Sequence, residues 1–174
     1  MYFDTYQTYL AISAFDHAEK MVARHYRLSV DQLRGLRYDV KTLAYLTEPE
    51  IHEQAFAHLC RYRYKTYRQA EIESGFFFYR ICLQDDRILD AVQRTGAFIK
   101  LPALLLYIAA HEIVHVIRFD AGYENFEATP EEKGKEEQRV HAITGELLSS
   151  LKYPDLRIVM DCFSDRHRLS DQLN

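Results

Sequence analysis

The sequence predicts an α+β chain, mostly helical with a small β-sheet, and three observations carry that prediction. Apolar residues recur at helical spacing through most of the 174 residues. One stretch, Arg61 to Leu83, breaks that rhythm with Tyr62, Tyr64 and Thr66, then Phe76, Phe77, Phe78, Tyr79 and Ile81, residue types that favour extended structure. The composition, 48% hydrophobic and 28% charged, is that of an ordinary globular domain able to build a core. No repeat or low-complexity linker divides it. Residues 1–174 therefore read as one domain, with a helical part over 1–60 and the sheet and two long helices over 61–151.

Tyr6, Leu10, Ala14, Ala18 and Met21 place an amphipathic helix over about Asp4 to Tyr26. Ser29-Val30-Asp31-Gln32 has the form of a capped start for a short second helix. Thr47-Glu48-Pro49-Glu50 is a capping-box pattern with proline in the first turn. Apolar Ile51, Ala55, Phe56 and Leu59 follow it, which predicts a helix over about Pro49 to Cys60. A turn at Glu73-Ser74-Gly75 divides the sheet region in two. Asp85-Asp86 opens a helix to about Gln93, and Pro102 suits the first turn of the next one, LPALLLYIAAHEIVHVIRF from Leu101 to Phe119. Gly122 to Gly134 reads as a surface loop leading to a last long helix from about Pro130 to Leu151. Nothing assigns the tail after Pro154.

Charge and cysteine content narrow the function classes. A net charge of -4 with scattered Lys and Arg leaves no electrostatic footprint for nucleic acid. Cys60, Cys82 and Cys162 are an odd number at wide spacings without CxxC, which argues against a disulfide framework and a thiolate zinc site. The N-terminus lacks a basic segment before its apolar residues, and Asp4, Asp16 and His17 interrupt it, so a cytoplasmic location is expected. Leu101 to Phe119 approaches membrane-spanning length, but His111, Glu112 and His115 in its second half make it a buried core helix. No membrane partner is expected.

His111 and His115 are four residues apart, so on a helix they project from one face about one turn apart and can share an ion. Glu112 stands beside them, completing HExxH. In that chemistry two neutral imidazoles hold a single zinc ion, and the glutamate takes a proton from the metal-bound water and returns it to the leaving amine. Burying two histidines and a glutamate inside an apolar helix is costly without a partner, and one divalent cation, zinc, satisfies all three. A catalytic zinc needs a third protein ligand and an open fourth position. The downstream helix offers Glu137, which lies 22 residues after His115, and His141, four further on along a face adjoining Val140, Thr144, Leu147, Leu148 and Leu151. Glu131, Glu132 and Glu136 read as N-terminal helix acids.

Over about forty residues, Leu104 to Leu148, the chain resembles the gluzincins, the zincin branch in which HExxH is followed by a second helix bearing a metal-binding glutamate. The resemblance implies a zincin-like fold and a zinc metallopeptidase, a hydrolase of peptide or protein substrates. Glu112 would be the catalytic residue, and His111, His115 and Glu137 the metal ligands. His141 departs from the acid or amide usual at its position, so either it hydrogen-bonds to a Glu137 ligand from outside or the two exchange roles. The resemblance also implies an edge strand that pairs with substrate, for which Phe76 to Cys82 is the candidate. Metzincins are excluded, because Arg118, Gly122 and Glu124 do not supply HExxHxxGxxH.

Two other classes stand beside this reading. Glu112-Ile113-Val114-His115 is also the ExxH of di-iron carboxylate bundles, but the nearest partner, Glu137 to His141, is one residue too long. A metal-binding or regulatory module without hydrolysis fits the small size. Among 13 tyrosines, Tyr62, Tyr64, Tyr67 and Tyr79 cluster, which reads as aromatic strand packing. His17, His25, His52, His58 and His167 have no partner at ligand spacing, and nothing selects His167 or Tyr153 as an oxyanion donor.

Overall fold

The computed structural model describes residues 1–68, 71–96 and 98–170, with side chains for 1–64, 76–96 and 98–162. The fold is α+β: among the described residues six helices predominate and a three-stranded mixed sheet supports them. Helix α1, Thr5–His25, opens with the Asp4 carboxylate accepting from the Gln7 N–H while the Gln7 side chain returns to the Asp4 N–H, a reciprocal cap that satisfies two orphan donors. Ser29 and Gln32 do the same for α2, Val30–Gly35. Strand β1, Tyr38–Lys41, β2, Ala57–Arg68, and β3, Glu71–Leu83, follow, then α3, Asp85–Arg94, α4, Leu101–Asp120, α5, Pro130–Ser149, and α6, Pro154–Ser170.

Helix α4 is the axis of the molecule. Every residue from Ala103 to Arg118 is buried, as a helix that is apolar all round requires. α1 lays Ala11, Ala14, Phe15, Ala18 and Val22 against it, α5 and α6 cover its flanks, and the sheet closes another side through Tyr79, Ile81 and Leu83. Its length and hydropathy would suffice to cross a membrane, yet protein surrounds it on all these sides.

The sheet corrects several expectations. Its order is β1-β3-β2, with β1 parallel and β2 antiparallel to β3. Phe76 to Cys82 is therefore the central strand and cannot offer a free edge. The edges are β1, which no sequence pattern announced, and β2. Glu73-Ser74-Gly75 lies inside β3: Thr66 pairs with Ser74 and Tyr67 with Ile72, so Glu73 is the extra residue of a bulge, and the connection between the strands comes before Glu71, earlier than expected. The helix expected over Pro49–Cys60 shrinks to one 3₁₀ turn, Glu48–Glu50, and β2 begins at Ala57, so 1–60 is not wholly helical. The capping box is real, because the Thr47 N–H and hydroxyl both donate to Glu50. Pairing of Ala57–Cys60 with β3 outweighs the local helical preference that follows it. The tail after Pro154 forms α6.

A buried polar network pins this segment to the sheet. Glu50, 1% exposed, accepts from Tyr62 and from Arg80, which also clasps Asp39 on β1. Gln84 donates to the Glu50 and Cys82 carbonyls and accepts from the His52 N–H. Burial alone raises the Glu50 pKa, but donation from the Thr47 backbone, Tyr62, the Thr47 hydroxyl and Arg80 outweighs it and holds the group at about 2 against an ordinary 4.5. Folding thus lowers this pKa. The stability it contributes, about 3 kcal/mol by linkage, is complete above pH 4.5 and lost as pH falls toward 2. Urea unfolding between these limits should show a steeper acid loss for the wild type than for Glu50→Gln; equal slopes would refute the assignment.

Candidate metal centre

Two helices build the site. α4 carries His111, Glu112 and His115 on its inner half, and the capped start of α5 at Thr129-Pro130 sets the rotation that turns Glu137 and His141 toward them. Glu137 is the hub. Its Oε1 lies 3.0 Å from His111 Nε2 and 3.0 Å from His141 Nε2, and its Oε2 lies 3.1 Å from His115 Nε2. His111 Nε2 and His115 Nε2 are themselves 3.2 Å apart. The ligand atoms of His111, Glu137 and His141 fall within 4.8 Å of one another. The side chains of His111, His115, Glu137 and His141, the ligand candidates of the sequence, are thus brought together around the Glu137 carboxylate.

Those separations are also compatible with a shared ion. Donors bound at ~2.0–2.1 Å to a tetrahedral zinc lie roughly 3.3 Å from one another. Without an ion the two Nε2 atoms can each donate to a different oxygen of Glu137, and with a cation at the focus each offers it a lone pair instead. His111 Nδ1 is buried and has no partner among the described residues, so Nε2 is its working nitrogen.

The outer contacts were not legible in the sequence. His115 Nδ1 lies 3.0 Å from the Glu124 carboxylate, which is only 9% exposed on the loop after α4. This is the carboxylate–histidine arrangement that orients a metal ligand and raises its basicity. Tyr107, one turn ahead of His111, places its hydroxyl 2.6 Å from His141 Nδ1. With Tyr107 donating to Nδ1 and Nε2–H donating to Glu137, both nitrogens of a neutral His141 are satisfied. Glu136, expected as a solvated helix acid, is instead buried and paired with Arg118 and Arg139, which anchors α5 to α4. Glu124→Ala should weaken zinc binding ~10 to 100-fold in competition with a chelator, as losses of such orienting partners do; unchanged affinity would show that the contact does not tune the site.

Electrostatics separate the roles. Burial pushes His111 down to about 4, so it is neutral and ready to bind a cation. Burial also disfavours His115 charge, but its bonds to Glu124 and Glu137 prevail and lift it to about 10 in the metal-free protein. Burial raises Glu137, yet the His111, His115 and His141 imidazoles hold it far below the carboxylate range. Glu112 differs from all of these. Burial lifts it to about 7, with Glu137 and Glu124 reinforcing and His115 opposing, and it has no hydrogen-bond partner among the described residues.

A cleft of about 370 Å³ opens onto His111, Glu112, His115 and Glu137 between α4, the loop after it and the start of β2. Its far wall is Ala57, His58 and Leu59, and Phe119, Phe126 and Lys133 complete it. His58, expected to be ordinary, therefore faces the site, and its ring stacks on His52 at 5.3 Å. Tyr153 does not line the cleft, and the side chains of Tyr67 and His167 lie outside the described residues. Comparison with known proteins finds no matching family model, no matching curated protein and no matching solved structure, so the site must be read from its own chemistry.

Proposed function

We propose that the chain is a zinc-dependent metallopeptidase of the zincin type, holding one ion through His111, His115 and Glu137. The observation that carries the proposal is the convergence of two Nε2 atoms and the Glu137 carboxylate beside a buried Glu112 that lines the cleft and has no hydrogen-bond partner among the described residues. A bound zinc ion supplies Lewis acidity, bringing the pKa of its water toward ~7 and polarising a scissile carbonyl. Glu112 takes the proton from the attacking water and passes it to the leaving amine, a task suited to a carboxyl group lifted to about 7. Edge strand β2 lines the cleft from Ala57 to Leu59, so an extended peptide adds to it as a further strand and lies across the site. All three cysteines are free, two of them with sulfurs 3.9 Å apart on neighbouring strands, which favours a reducing, cytoplasmic setting.

One observation favours a second reading. If His141 Nε2, 3.0 Å from Glu137 Oε1, is itself a ligand, four protein donors close the coordination sphere and the protein is a metal-binding module without hydrolysis. Metal analysis and turnover together test the proposal. Purified protein should hold close to one equivalent of zinc and cleave members of a mixed peptide library, with activity lost to a chelator and restored by zinc. Protein without metal overturns both readings, and zinc without cleavage leaves the second.

A further inference from the structure

The outward face of α1 is divided into two unlike halves. Its N-terminal half exposes Tyr6 at 67%, Tyr9 at 64% and Ile12 at 58%, with Tyr2 at 65% just ahead of the helix. Single exposed apolar residues are ordinary, but a run of large ones on one face marks a contact surface. The C-terminal half of the same face carries exposed His17, Lys20 and Arg24, none in an ion pair among the described residues, with exposed Asp16 between them and Ser13. Together with Glu146, His17, Lys20 and Arg24 rim a groove of about 510 Å³ between α1 and α5, floored by Met21, Leu147 and Leu151. The opposite face of α1 is spent on α4, and no element among the described residues packs over the divided face.

The geometry points to a homodimer in which two copies of α1 pack antiparallel about a two-fold axis at Ser13. Turning the helix end for end about Ser13 sets Tyr9 of one copy against His17 of the other, Tyr6 against Lys20, and Tyr2 toward Arg24. The aromatic half of each copy thereby meets the cationic half and apolar groove of its mate, and does so twice, as an isologous interface requires. Each ammonium or guanidinium gains a tyrosine face, a cation–π contact available to neither group in the monomer. Ser13, exposed and small, lets the backbones approach at the axis. The order of residues along the helix is what selects a second copy of this chain, since both complementary parts lie on one element. The pairing leaves the cleft at His111 open and does not depend on the metallopeptidase reading.

Sedimentation velocity of the full chain over a wide concentration range tests it. A monomer–dimer equilibrium is expected, and Tyr6→Ala should raise the dissociation constant roughly tenfold or more, because each contact is lost twice. Register is tested by charge. Tyr6→Lys opposes two ammonium groups and Lys20→Glu removes the cation, so each should weaken the dimer; the double variant places an ammonium opposite a carboxylate and should restore it. Positions 6 and 20 lie almost four turns apart in one helix, so no contact within a monomer explains such a rescue. Ser13→Cys in a Cys162→Ser background should give a disulfide-linked dimer on mild oxidation, whereas Glu131→Cys in the same background should not. A monomer at every concentration, a dimer indifferent to Tyr6→Ala, or a monomer that floats with anionic lipid vesicles through this face would each overturn the proposal. All the altered residues are exposed, and far-UV circular dichroism confirms the fold of each variant.

Discussion

Glu112→Gln should retain close to one equivalent of zinc and lose kcat by ~10² to 10⁴-fold, the usual range for removing a general acid–base, with KM little changed. The substitution keeps the shape of the side chain but cannot take a proton from water, and Glu112 is not among the atoms that converge on Glu137. In rate terms this is about 3 to 5 kcal/mol of transition-state stabilisation. A second effect runs the opposite way. Folding raises the Glu112 pKa from 4.5 to about 7, so in the metal-free protein its contribution is full below pH 4.5 and becomes increasingly unfavourable as pH rises through 7. Metal-free Glu112→Gln should therefore melt higher than the metal-free wild type at pH 8 and no higher at pH 4. A variant that keeps its turnover would end the peptidase mechanism, and one that loses its zinc would make Glu112 a ligand.

What the sequence disclosed follows the range of the interactions involved. The Ser29–Gln32 cap of α2 and the Thr47–Glu50 box are reciprocal bonds between residues three apart and were legible, while the like caps of α1 and α5 emerged only from the structure. His111, Glu112 and His115 were legible for the same reason, since one helical turn joins them. Glu137 and His141 sit 26 and 30 residues from His111, and only their shared helical face and the gluzincin resemblance singled them out. Glu124, Tyr107 and His58 left no signal, because a loop glutamate, one more aromatic in an apolar run and a strand histidine have no spacing rule that ties them to the motif. The error at Pro49–Cys60 is of the same kind. Its capping box forms, but the Glu50 carboxylate also answers to Tyr62 and Arg80, and the strand partner that claims the next residues lies more than twenty positions away.

Alanine variants of the four converging residues should rank in a definite order of zinc affinity. His111→Ala and His115→Ala each remove a direct bond and should leave little metal after dialysis. Glu137→Ala should match them, because its carboxylate, alone among the described residues, touches all three imidazoles. His141→Ala should cost only ~10 to 100-fold, since in the favoured arrangement His141 holds Glu137 from outside and is itself held by Tyr107. Tyr107→Phe should then produce a smaller loss in the same direction, and combining it with His141→Ala should add nothing, because the hydroxyl acts through that ring. The alternative gives a different pattern. If His141→Ala costs as much as Glu137→Ala, both are ligands and the sphere is closed by four protein donors. Removing His141 would then be the change that opens a position for water, so the variant would bind zinc weakly while gaining whatever hydrolysis the wild type lacks. Affinity and turnover measured on this one variant therefore separate an open catalytic centre from a closed structural one.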